Sequence, residues 1–267
     1  GEIAAVMLEP ATTATPFSPE ATRQLTHENP YATCPQEKGD FLKRVQQLCR
    51  SNGALLIFDE MITGFRWHLQ GAQTYFEVIP DMATFGKAMA NGFSVAAVTG
   101  RREIMEVGAI RQAGTERTFL LSTTHGGEMS GLAAFIESVR VLREQDVCRH
   151  LWDYGRRLRE GLESVAAELG LQQYFQVDGP AICLNYVTRD RDGNPSLEFR
   201  TLFAQEMIER RVLMPWIAVS FAHGDDELAM TIDAARGALR VYRDALESGV
   251  ARFLRGPAIK PVFRRFN

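Results

Sequence analysis

Two residues in this chain carry complementary chemistry at a spacing that lets them meet. Asp59 closes the apolar run Ala54-Leu55-Leu56-Ile57-Phe58 and is followed by Glu60 and the turn residue Gly64. Lys87 closes a second short apolar stretch, Pro80-Asp81-Met82-Ala83-Thr84-Phe85-Gly86, 28 positions after Asp59. A lysine amine condenses with an aldehyde, and a carboxylate keeps a heteroaromatic nitrogen protonated. Each residue alone has an ordinary explanation. An Asp-Glu pair at a strand end is more often a helix cap or a salt-bridge partner, and a lysine after glycine is commonly solvated. Only the combination, with its spacing and flanks, points to chemistry.

The elements that must position the pair are two strands. The run into Asp59 reads as a buried strand that delivers its acid to the carboxyl edge, where open α/β sheets place their ligands. The interval to Lys87 leaves room for one crossover between neighbouring parallel strands. A carboxylate and an amine at two such ends meet over one small aromatic cofactor, and pyridoxal phosphate requires that pair.

At these residues the chain resembles the class III aminotransferases, pyridoxal-phosphate enzymes of fold type I. The resemblance is carried by Asp59-Glu60, Thr63-Gly64-Phe65-Arg66 and Gly86-Lys87. Gly71-Ala72-Gln73, Val78-Ile79-Pro80-Asp81 and Val98-Thr99-Gly100-Arg101-Arg102 look most like glutamate-1-semialdehyde 2,1-aminomutase and its aminotransferase relatives. It implies an α/β fold, with part of a large domain built on a mostly parallel sheet and a small C-terminal α+β domain. Lys87 is then the Schiff-base lysine and the group that moves a proton once freed, and Asp59 is the partner of the ring nitrogen. Met61 stands where relatives pack a valine on the ring face. The amino group passes between a small-molecule donor and an aldehyde or ketone acceptor, in a homodimer with shared active sites.

Three further places take on meaning beside that resemblance. Leu121 to Met129 reads as a strand turning through Gly126-Gly127 into a helix, where hydroxyls and free N–H groups suit a phosphate, although a tight turn has the same signature. The family carries a threonine there for the cofactor phosphate of the opposite subunit. Thr123 matches it by its spacing to Gly126, with Thr124 in the next register, and His125 reads as structural. In the family the Glu9-Pro10 turn faces the active site, so Glu9 is a substrate candidate, with a plain structural turn the equal alternative. Ser220 and His223 lie where the family's substrate wall passes.

Composition bounds the rest. The chain has 267 residues, 45% hydrophobic, and a net charge of −3 with both signs interspersed, which makes no case for nucleic acid or a membrane surface. Four cysteines and five histidines are scattered, so neither a metal centre nor a disulfide scaffold is expected. The absence of a long apolar run or a signal-like segment makes the cytoplasm the expected location.

The expected organisation is residues 1–145 as the later part of a large cofactor-binding domain and 146–267 as a connecting helix and small domain. Ile3 to Leu8 is an apolar strand of the kind buried on both faces, which implies that residue 1 lies inside a domain. An absent N-terminal part or a partner chain is then needed to complete the pocket. Residues 11–38 form a polar Thr/Pro-rich stretch expected as a functional loop or a mobile insertion.

Asp40 is expected to cap a helix burying Phe41, Val45 and Leu48, and further parallel strands are expected at 82–85, 95–99 and 118–122. A helix with Leu132, Ile136, Val139 and Leu142 and another with Leu151, Tyr154, Leu158, Leu162 and Val165 are expected to be core stripes. Past Tyr174, short strands at 175–177 and 182–187 precede a helix from Leu197 and a last one capped by Asp225. The competing reading is a split or non-catalytic subunit that keeps the fold as an interface. The presence of both Asp59 and Lys87 speaks against it.

Overall fold

The computed structural model describes residues 2–28, 30–33, 40–108, 114 and 126–261. The chain divides into two compact units, Gly1–Trp152 and Asp153–Asn267.

The first unit is organised by a four-stranded sheet in the order β1 (Ala5–Leu8), β2 (Leu55–Asp59), β3 (Met82–Phe85), β4 (Ala97–Gly100). β1, β2 and β3 are parallel, in the register Leu8↔Phe58 and Asp59↔Thr84. The apolar run at 54–58 makes a strand because its side chains alternate: Leu56 and Phe58 are buried, while Leu55, Ile57 and Asp59 are half-buried. β4 starts at Ala97 and runs antiparallel to β3, against the parallel strand expected at 95–99. The connection from β3 holds only a single 3₁₀ turn, Lys87–Met89, and antiparallel neighbours need no helical crossover. The strand expected at 118–122 lies outside the described residues.

Two helices bury different faces from those expected. α3 (Asp40–Ser51) buries Leu42 and Cys49, leaving Phe41 and Leu48 exposed. After the short α5 (Arg102–Met105) comes α6 (Met129–Glu144), on which Leu132 and Ile136 are exposed, so the expected core stripe is not buried there. β1 also departs from expectation, with Ile3 and Met7 exposed. Among the described residues it ends the strand order, with one flank paired.

Of the loop expected at 11–38, residues 11–28 and 30–33 are described, and they carry helices. Ser18 caps α1 (Pro19–Gln24) by accepting from Ala21 N at 3.2 Å, with proline at the favourable first position, and α2 (Pro30–Thr33) follows. Tyr75 Oη donates to Thr26 O at 2.7 Å and Tyr31 Oη to Phe76 O at 3.0 Å. The segment is thereby tied to an aromatic cluster around Trp67, whose ring lies edge-on to both Tyr75 and Trp152 at 5.4 Å. Trp152 Nε1 donates to Trp67 O at 3.1 Å, so the Trp152 and Tyr75 rings are buried with their polar atoms satisfied.

In the second unit α7 (Val147–Glu168), which begins in the first, buries Tyr154, Leu158, Leu162 and Val165 as its 3.6-residue period requires. β5 (Phe175–Asp178) pairs antiparallel with β6 (Asn185–Thr188). β6 begins later than expected because Ala181–Cys183 forms a 3₁₀ turn. α8 (Leu197–Glu209) starts at the Ser196 cap. α9 (Asp225–Ser248) is capped at Gly224, whose N–H donates to Glu227 Oε2 at 2.8 Å, and not by Asp225.

Candidate active site

The site is built at the carboxyl ends of β2 and β3. Asp59 is the last residue of β2 and faces Thr84 across the sheet. Neighbouring strands lie roughly 4.8 Å apart, so Asp59 and the turn that opens with Lys87 share one sheet edge. Lys87 follows β3 after a single glycine and takes a left-handed backbone, with φ +46°, a conformation that costs an ordinary residue about 1–2 kcal/mol. Such strain at an exposed lysine marks a place where direction matters.

The carboxylate of Asp59 is held on one side. Its Oδ1 accepts from Met61 N at 3.0 Å and from Thr84 Oγ1 at 3.2 Å. Among the described residues Oδ2 has no hydrogen-bond partner, and neither has Lys87 Nζ. A partly buried acceptor and an exposed amine at one edge form the donor set a protonated pyridine nitrogen and an aldehyde require, so these residues fit pyridoxal phosphate. Met61 adds a wall. A Cβ placed on Gly86 would collide with the Met61 thioether, so Met61 packs where the backbone approaches Lys87, and Gly86 makes the space.

Glu60, beside Asp59, is fully buried and turns away from the edge. It accepts from Thr63 Oγ1 at 2.5 Å, Ala72 N at 2.8 Å and Gln73 N at 2.7 Å. It therefore staples the turn after β2 to the start of α4 (Ala72–Tyr75). A Cβ on Gly71 would lie 2.6 Å from Glu60 Oε1, and Gly71 also has φ +88°, so glycine is required there on two counts.

Burial pushes the Glu60 carboxyl above the usual glutamate range, against the pull of its three donors and with Asp59 adding to the rise. Replacing Glu60 with glutamine removes one acceptor and points an N–H₂ group at backbone donors. Glu60→Gln is expected to lower the unfolding free energy by about 1–3 kcal/mol, read by urea denaturation. The sign with pH follows from the raised value. Glu60 contributes most below the ordinary glutamate range, and that contribution is lost as pH rises through its folded pKa. The gap between wild type and Glu60→Gln should therefore be widest in acid and narrow towards neutral pH; a gap that widens instead would refute it.

The other expected site residues fall into three groups. Glu9 follows β1 on the same edge, one strand over from Asp59, and lines a cleft of ≈460 Å³ with Phe17 and Phe41. Thr123, Thr124 and His125 lie outside the described residues. Ser220 and His223 belong to the second unit, where Ser220 N donates to His223 Nδ1 at 3.2 Å and the His223 ring lies 5.6 Å from Tyr154. His223 also lines a cavity of ≈420 Å³ with Tyr154, Trp216 and Met230. Sequence reasoning missed the contacts of Thr84 and Glu60. A threonine three residues before the lysine was the available signal for the first; for the second there was none, because its partners lie up to 13 positions away.

Comparison with known proteins gives a consistent account. The family model for aminotransferase class-III matches residues 34–189, more than half of the chain. The chain is 34% identical over 213 residues to the 3-aminobutyryl-CoA aminotransferase of Cloacimonas acidaminovorans, covering 78% of this chain and 49% of that protein. It is 34% identical over 216 residues to the glutamate-1-semialdehyde 2,1-aminomutase of Alkaliphilus oremlandii, covering 77% and 49%. Among solved structures, the internal aldimine form of the Sphingopyxis FumI protein with pyridoxal phosphate superposes with a TM-score of 0.67 at 26% identity, over 78% of this chain and 48% of that one. The chain spans about half the length of the curated relatives it matches.

Proposed function

This chain belongs to the class III aminotransferases, and from that premise we propose that it forms part of a pyridoxal-phosphate-dependent enzyme that moves an amino group between a small-molecule donor and an aldehyde or ketone. The observation that carries the proposal is the pair at one sheet edge: Asp59 Oδ2 and Lys87 Nζ, each without a partner among the described residues, at the ends of adjacent parallel strands. When bound, pyridoxal phosphate supplies an electron sink that acidifies the carbon bearing the transferred amine.

Lys87 Nζ would be the amine that holds the cofactor, and the same amine would accept and return the proton at the substrate carbon. Asp59 Oδ2 keeps a proton on the ring nitrogen, while Oδ1 is occupied by Met61 N and Thr84 Oγ1. Met61, packed beside Gly86, would wall the cofactor's ring. Thr123, or Thr124 in the next register, binds the phosphate across a homodimer, and Glu9, Ser220 and His223 contact substrate. Residues 1–145 then act as part of the cofactor-binding domain and 146–267 as the small domain, with the remaining pocket supplied by polypeptide outside this chain.

The test is chemical capture. The full-length protein is loaded with pyridoxal phosphate, reduced with borohydride and digested. The expected result is one peptide, containing Lys87, heavier by the mass of the reduced cofactor. No uptake, or uptake at another lysine, would sink the proposal and favour a subunit that keeps the fold without the chemistry.

A further inference from the structure

We propose that Thr84 is a positioning residue whose hydroxyl sets the orientation of the Asp59 carboxylate and so holds the proton on the cofactor's ring nitrogen; this rests on the function proposed above. Asp59 and Thr84 are paired across the β2–β3 register, and Thr84 Oγ1 donates to Asp59 Oδ1 at 3.2 Å. The last torsion of an aspartate side chain is broad and soft, so one backbone donor leaves its plane poorly defined. Met61 N reaches Oδ1 from Asp59's own chain, and Thr84 reaches it from the neighbouring strand. Two donors from different directions fix that oxygen and leave Oδ2 turned to other work.

Thr84 stands three residues before Lys87 on the same strand end, so one element presents the amine and orients the carboxylate. The ordinary role of a threonine in a strand is β propensity, which valine supplies equally well. The hydroxyl is what valine lacks.

That contrast makes the test. Full-length wild type, Thr84→Val and Thr84→Ser are loaded with cofactor labelled with ¹⁵N in the ring, and the nitrogen shift is followed with pH beside the rate of the first amino-transfer half-reaction. Thr84→Val is expected to lose the ring proton at a pH lower by about one unit and to react about tenfold more slowly. Thr84→Ser, which restores the hydroxyl, should fall within about twofold of wild type. Thr84→Ala is made in parallel so that loss of the hydroxyl is read even where the extra methyl of valine disturbs packing. A ring-nitrogen titration in Thr84→Val and Thr84→Ala matching wild type overturns the role of Thr84 and leaves the proposed function standing. A wild type that takes up no cofactor at Lys87 overturns both.

Discussion

Lys87→Ala should fold as wild type does and lose amino-group transfer by about 10³-fold or more. The folding half rests on the lysine's surroundings: the residue is exposed and its amine has no partner among the described residues, so little packing or pairing is lost. Alanine keeps the same left-handed strain at φ +46°, because both residues carry a Cβ. The activity half rests on two roles falling to one atom. Without Nζ there is no covalent attachment, and the proton at the substrate carbon has no positioned carrier, a loss worth 10²- to 10⁴-fold by itself. Urea denaturation checks the first half and product formation from an amine donor the second. The variant should retain cofactor non-covalently, without the borohydride-stable adduct. Activity within tenfold of wild type would remove Lys87 from the mechanism.

Asp59→Asn should be the second largest loss, about 10²- to 10³-fold in turnover, with a smaller effect on cofactor affinity. Asparagine has nearly the same shape, and its carbonyl oxygen can accept from Met61 N and Thr84 Oγ1 as Oδ1 does now. What changes is the other atom: an uncharged N–H₂ replaces Oδ2, which cannot hold a proton on a pyridine nitrogen. The effect therefore falls on the reaction and not on the fold. Stability should stay within about 1 kcal/mol of wild type, since the two hydrogen bonds persist. Turnover unchanged in Asp59→Asn, with cofactor bound at Lys87, would show that the carboxylate faces something other than the ring.

These two variants and the Glu60 substitution divide the adjacent acids by role. Asp59 stands at the edge with one oxygen unclaimed among the described residues, whereas Glu60 is buried with three donors on its carboxylate. Alternation along a strand places successive side chains on opposite faces, so one acid stands at the edge proposed for the cofactor and the next holds the turn. Glu60 also explains why the turn tolerates two awkward glycine positions. Gly64 has no room for a side chain against Phe85 and Glu60 O, and Gly71 has none against the Glu60 carboxylate.

Much of this was legible in the residue order. The strand ending at Asp59, the parallel neighbour leading to Lys87 and the buried face of α7 all follow from short-range patterns: an apolar run with a polar end, a crossover-length interval, a 3.6-residue stripe. The buried face of α3 was not. Phe41, Val45 and Leu48 form one acceptable stripe and Leu42, Val45 and Cys49 another, and periodicity alone does not choose between them. Burial chose the second.

What the amino-acid sequence offered by itself, then, was a carboxylate at the end of one strand and an amine just past the end of its parallel neighbour. Those properties are local, set by side-chain type and by the two-residue and 3.6-residue periods of the backbone. The tertiary structure alone decided which oxygen of Asp59 is already engaged, that Glu60 belongs to the turn and that Thr84 reaches across to the acid. It also decided that β4 turns back antiparallel. The physical reason is that hydrogen bonds and packing contacts depend on register and distance between segments far apart in the chain, and neither quantity is written in the residues on one side of a contact.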